Sequence, residues 1–144
     1  MNPTERRNAR QYALQAMYQW QISATPVAEI EFEFLAHHIK QKIDLVYFKE
    51  LIHAIPEQQV ELDNNITPFL SRPIAEIDPV ELAILRLATY ELLKRLDVPY
   101  RVAINEALEL AKKFGSVEGF KFVNGVLDQV ARKCRTEEIK FAKK

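Results

Sequence analysis

The sequence predicts an all-α fold, and three observations carry that reading. Only three of its 144 residues are glycine, well under the roughly 7% of an average chain. Seven prolines divide it into stretches of helix length. No stretch of useful length alternates apolar and polar residues as a half-buried strand does. With 48% hydrophobic and 10% aromatic residues, the chain has enough apolar surface for one domain. That domain is expected over 1–135, followed by a charged, frayed tail over 136–144.

About seven helices account for the pattern. The first spans about residues 4 to 22, after Pro3. At about 100° per residue, Ala9, Ala13, Ala16, Met17 and Trp20 share one side, while Arg7, Gln11, Leu14 and Tyr18 line the other. Pro26 ends it, and a second helix over Val27 to His38 turns Ile30, Phe34 and Leu35 inward. Asp44 caps a third through Ile55, built on Tyr47, Phe48, Leu51 and Ile52. Pro56 suits the first turn of a fourth segment, whose stripe is Leu62, Ile66, Phe69 and Leu70.

Asp78, Pro79 and Glu81 combine a capping carboxylate, a proline at the first helical position and an acid in the first turn. The helix they open runs to about Leu96. It carries one stripe through Leu82, Leu85, Thr89, Leu92, Leu93 and Leu96 and a second through Val80, Ile84 and Leu87, so it needs apolar neighbours on both faces. Pro99 opens a sixth helix, where Ala103, Ala107, Ala111 and Phe114 recur at helical spacing and Gly115 suits a left-handed terminal residue. Ser116 caps a seventh reaching Cys134, with Val123, Val126, Leu127, Val130 and Cys134 inward. Phe122 falls about 100° off that stripe, beside Glu118, Gly125 and Gln129, which marks it as a candidate functional aromatic.

Twenty Lys and Arg balance twenty Asp and Glu, but not evenly along the chain. Residues 1–22 hold three cations and one anion, 23–100 hold seven and thirteen, and 101–144 hold ten and six. A neutral total therefore conceals basic ends around an acidic middle. Gln11, Gln15, Gln19 and Gln21 interrupt every apolar run of the first helix, against a signal peptide or membrane span. Tyr12, Met17 and Trp20 read as core anchors rather than parts of a transit peptide. The single cysteine, Cys134, makes no internal disulfide, which points to a reducing, cytoplasmic setting.

Several chemistries are not expected. The glycines sit at a helix junction rather than between a strand and a helix, so no phosphate loop forms. His37 and His38 point about 100° apart and do not chelate one ion. Cys134 has cations around it but an inward phase. Nothing offers a nucleophile, a base and an orienting group, so the expectation is a non-enzyme without metal or cofactor. Binding single-stranded RNA asks for less: cations for phosphates and aromatic faces for unpaired bases. Arg6, Arg7 and Arg10 near Tyr18, and Lys121 beside Phe122, supply both. A solvated basic helix start and a groove-filling aromatic explain the same pattern, and periodicity does not choose between them.

The strings RRNARQYALQAMYQWQ at 6–21, ILRLATYELLKRLDVPYRVAINEALELAKKFG at 84–115 and KFVNGVLDQVA at 121–131 resemble the bacterial transcription antitermination family NusB. The resemblance covers nearly the whole chain except the variable segment 23–70 and the last ten residues. It implies two packed three-helix bundles joined through a long central helix. It also implies an RNA-binding adaptor that takes the boxA segment of nascent ribosomal RNA together with NusE, a ribosomal small-subunit protein, within the RNA polymerase antitermination complex. Carried over residue by residue, the RNA surface comprises Arg6, Arg7 and Arg10 on phosphates, Tyr18 and Phe122 on bases, and Glu118 and Lys121. Gly119 and Gly125 keep that surface low. The acidic middle suits a basic ribosomal protein, with Phe69, Glu76, Glu81 and Arg86 as its contacts near Asp78. A protein–protein scaffold without sequence-specific RNA binding is the alternative, and either a monomer or a homodimer is compatible.

Overall fold

The computed structural model describes residues 2–142, and among them all regular structure is helical. In order, the α-helices are α1 (Pro3–Ser23), α2 (Val27–Glu33), α3 (Leu45–Glu57), α4 (Gln59–Ile66), α5 (Pro79–Lys94), α6 (Tyr100–Phe114), α7 (Val117–Cys134) and α8 (Thr136–Ala142). A π-helical turn, Phe34–His38, continues α2, and short 3-10 turns at Thr67–Phe69 and Ile74–Glu76 lie between α4 and α5. The chain forms two compact units that divide after Gln59.

In the first unit, α1 packs on α2 and α3. Asn2 starts α1: its Oδ1 accepts from the Thr4 and Glu5 amides at 2.9 and 3.2 Å, the capping that an N-terminal turn needs. Ala9, Ala13, Ala16 and Met17 are buried as the helical phase predicts, and Trp20 is half-buried. Leu14, expected outward, is buried too, so the apolar face is wider than one stripe. The helix ends on Ala24, whose φ of 56° is left-handed and whose amide reaches the Trp20 carbonyl at 3.1 Å.

Two expectations fail along α2 and α3. Ile30 and Phe34 are buried, but Leu35 is 42% exposed; the π turn spends more residues per revolution than an α turn and rotates its side chains out of the helical phase. Pro56 does not open a fourth helix but lies inside the last turn of α3, where it has no amide to offer the Ile52 carbonyl, and Gln58 closes the helix on the Ala54 carbonyl.

In the second unit α5, α6 and α7 pack against one another. Every residue of α5 from Ala83 to Leu92 is buried, so the helix is covered on both of its apolar faces, with Arg86, Thr89 and Glu91 buried between them. The helix stops at Lys94, leaving Leu96 71% exposed. Ala103, Ala107 and Ala111 are buried, whereas Phe114 is 37% exposed. Gly115 is extended (φ −114°, ψ −166°), not left-handed; a Cβ there would stand 2.9 Å from the Ala111 carbonyl oxygen, which is what favours glycine.

The expected frayed tail is instead helical over Thr136–Ala142, and Lys143 and Lys144 lie outside the described residues. Arg135 explains the order. Its buried guanidinium donates to the carbonyls of Leu92, Glu91 and Arg95 at 2.8, 3.1 and 3.0 Å and pairs with Glu138. It thus supplies a donor to the Leu92 carbonyl and a second one to the Glu91 and Arg95 carbonyls, which also accept the Arg95 and Val98 amides, and it puts a cation at the helix end that favours one. Glu138 also accepts from the Tyr100 amide at 2.8 Å, tying α8 to the start of α6.

Candidate nucleic-acid interface

The three N-terminal arginines, expected together on the outward face of α1, are not equivalent. Arg6 and Arg10 are only 8% and 4% exposed. Their guanidinium carbons stand 4.0 and 5.6 Å from the centre of the Tyr47 ring, and Arg6 Nε is 3.7 Å from Asp44 Oδ2. Asp44 in turn caps α3 by accepting from the Tyr47 amide at 3.0 Å, and its own amide donates to the Glu5 carbonyl. The two cations thus fasten the start of α1 to the start of α3. A long aliphatic stem and a planar head let arginine pack on an aromatic face while it keeps its charge.

Arg7 is exposed and Tyr18 is 37% exposed. Eleven residues apart, they lie within about 20° of the same helical phase and about 16 Å apart along the axis. Lys40, Lys42 and Lys49 are further exposed cations of this unit. Nearby, the 39–43 connection is held to α1 by Asn8 Nδ2 donating to the Lys42 carbonyl and by the Lys40 amide donating to the Tyr12 hydroxyl.

In the second unit the α6–α7 junction positions the other group. Ser116 Oγ accepts from the Gly119 amide at 2.9 Å and starts α7. Glu118 and Lys121 come next along the helix, both exposed and 4.0 Å apart. Phe122 is half-buried on a strip whose other members, Glu118, Gly125 and Gln129, are exposed, as its phase predicts. Gly125 faces open space. Gly119 does not: it is buried, and a Cβ there would meet Glu81 Oε2 at 2.6 Å. Its smallness therefore accommodates an acid of α5 rather than lowering an outer surface.

The residues expected to meet a protein partner separate in the same way. Asp78 caps α5, its Oδ2 accepting from the Val80 and Glu81 amides. Glu76 is exposed, and Phe69 is half-buried on a 3-10 turn. Glu81 is half-buried; burial foremost, then the neighbouring Asp78 charge, raises its pKa above the ordinary carboxyl value, with Arg72 partly opposing. Arg86 is buried, 5% exposed, and forks onto Asp63 of α4 through Nε and Nη2, both at 2.9 Å. It is a cross-brace between α4 and α5 rather than an open docking residue, because a desolvated guanidinium needs a fixed carboxylate.

Two contributors escape a reading by stripe. Phe120 is half-buried, with Lys112 Nζ 5.7 Å from its ring centre; its proximity in sequence to Lys121 is the only signal of it. Arg135 shows only as a cation at a helix end. Among the described residues, no cluster of three His, Cys, Asp or Glu side chains is placed to hold a metal ion, and no helix is long and apolar enough to cross a membrane.

The comparisons with known proteins cover both units. Residues 7–132 match the family model described as the NusB family. The chain is 53% identical over 135 residues to the transcription antitermination protein NusB of Shewanella halifaxensis (strain HAW-EB4), spanning 94% of this chain and 100% of that one. Among solved structures it superposes on T. maritima NusB with a TM-score of 0.78 at 30% identity, over 93% of this chain and 96% of that chain. It also matches a crystal structure of the antitermination factors NusB and NusE in complex with dsRNA, with a TM-score of 0.82 at 27% identity, over 92% and 99% of the two chains. A family match over most of the sequence, with an all-helical framework to accompany it, establishes that this chain belongs to the NusB family.

Proposed function

We propose that this chain is a non-catalytic, cytoplasmic RNA-binding adaptor of transcription antitermination. It binds boxA-containing RNA together with NusE and so joins the RNA polymerase antitermination complex. The observation that carries the reading is Phe122, an aromatic that stays half-exposed beside the exposed Lys121 on a helix with a well-filled apolar stripe. A ring next to a cation is what an unpaired base and its phosphate require. Arg7 and Tyr18, about 16 Å apart along α1, add a cation and an aromatic from the first unit, and Glu118 accepts from a base edge. Glu76, Glu81 and Phe69 form the acidic, partly apolar contact for a basic ribosomal protein.

The test is a titration of fluorescently labelled boxA RNA against a scrambled sequence, each single-stranded and as a duplex, with and without NusE. Preference for boxA, strengthened by NusE, is expected. Arg7→Ala combined with Lys121→Ala should weaken RNA binding while leaving NusE binding intact. Phe122→Ala should cost about 1–3 kcal/mol of RNA affinity; an unchanged affinity with a lowered melting temperature would make it a packing residue. Burial of Arg6 and Arg10 favours the second reading, a protein–protein scaffold, because two of the expected phosphate contacts already hold α1 to α3. That reading predicts equal affinity for boxA and scrambled RNA.

A further inference from the structure

We infer that the α6–α7 junction carries a pocket for one unstacked base of the bound RNA, separate from Phe122 and resting on the RNA-binding reading above. A cleft of about 470 Å³ opens there, lined by Lys112, Gly115, Ser116, Val117, Phe120 and Lys121. That volume lies within the range of about 300–1,000 Å³ typical of small-ligand sites. Its walls are mainly apolar, the half-buried Phe120 ring forms one side, and Gly115 contributes no side chain to narrow it.

The charges choose the occupant. Lys112 and Lys121 line the cleft, Lys112 Nζ 5.7 Å from the centre of the Phe120 ring, and each pairs with an acid three residues earlier on its own helix, Glu109 at 3.5 Å and Glu118 at 4.0 Å. Such exposed pairs are worth little and are readily exchanged for a phosphate. An apolar slot with a ring wall and two ammonium groups at its mouth matches a base with the phosphates on either side of it. An aliphatic or acidic protein segment would use only one of these features. Phe120 and Phe122 stand about 160° apart around α7, so they serve different bases.

The deciding experiment uses the full chain and boxA RNAs that each carry a single abasic position, titrated against the parent protein and Phe120→Leu, Val117→Glu and Phe122→Ala. Leucine keeps the apolar volume of Phe120 and removes the ring. Val117 is 73% exposed in the first turn of α7, where glutamate is compatible with folding but repels phosphate at the mouth. One abasic position should weaken the parent about 5- to 100-fold, have no further effect in Phe120→Leu or Val117→Glu, and keep its full effect in Phe122→Ala. Free nucleoside monophosphate, at the concentration of RNA that saturates the protein, should not displace the RNA; displacement would assign the cleft to a soluble nucleotide and overturn the proposal. RNA binding that is normal in the parent and unchanged in both cleft variants overturns the pocket alone. Loss of NusE binding with RNA affinity intact assigns the cleft to the protein partner. A parent that binds no RNA overturns both readings.

Discussion

Arg6 and Arg10 are charged residues that their surroundings treat as core. Sequence phase places a charge outside by default, and nothing in the N-terminal string reveals that Tyr47, some forty residues later, supplies a ring for both. Arg6→Ala or Arg10→Ala should therefore lower stability by about 1–3 kcal/mol, whereas Arg7→Ala should leave the denaturation midpoint within about 0.5 kcal/mol of the parent; equal effects at all three positions would contradict the placement. Ala24 is held at a φ that L-residues adopt at a cost, so Ala24→Gly should stabilise the chain by about 0.5–1 kcal/mol in urea titration. Glu81 is a residue whose folded-state pKa is raised by burial and by Asp78. Its ionised form is disfavoured on folding, so stability falls as pH rises from below the ordinary carboxyl value through the raised one. Glu81→Gln should melt higher than the parent at about pH 7, and the gap should close in acid; a gap that does not change with pH would contradict this. Burial likewise raises the Cys134 thiol despite the opposing charge of Arg135, so alkylation there should be slower than at a cysteine in the unfolded chain.

Helices are where the sequence reads most clearly, because capping and apolar spacing are local. Asp44, Asp78 and Ser116 all accept from the amides that their positions predict, and the apolar stripe of α7 is buried through Val130. The misreadings occur where a neighbouring element intervenes. Pro56 is taken into the last turn of α3, which Gln58 closes on the Ala54 carbonyl, and Leu35 is displaced by a π turn with no distinctive composition. The tail is ordered by a long-range contact, since Arg135 bonds three carbonyls about forty residues earlier and brings Glu138 with it. Arg135→Met should expose those carbonyls to partial satisfaction only and cost on the order of 3 kcal/mol. Hydrogen exchange should show protection lost at the end of α5 and in α8; loss confined to α8 would mean that the arginine merely follows the packing.

For the whole chain, the concealed charge segregation matters more than the neutral total. With Arg6 and Arg10 committed internally, the proposed RNA surface keeps Arg7, Lys112 and Lys121 among the exposed cations, and three phosphate contacts predict a slope of log affinity against log salt near −2, at about 0.7 per contact on single-stranded RNA. A slope of about −4 would return the buried pair to the RNA. The outward placement of Arg7, Lys121 and Phe122 was legible in helical phase; the burial of Arg6 and Arg10 was not, because it depends on Asp44 and Tyr47, far away in sequence. Gly119 adds a consequence for genetics. A methyl group there would evict the Glu81 carboxylate, a flexible tip that moves easily, while improving helix propensity. If Glu81 meets NusE as proposed above, alanine at 119 would be a well-folded allele weakened toward the ribosomal protein, and its phenotype would be credited to the wrong ligand unless both were assayed.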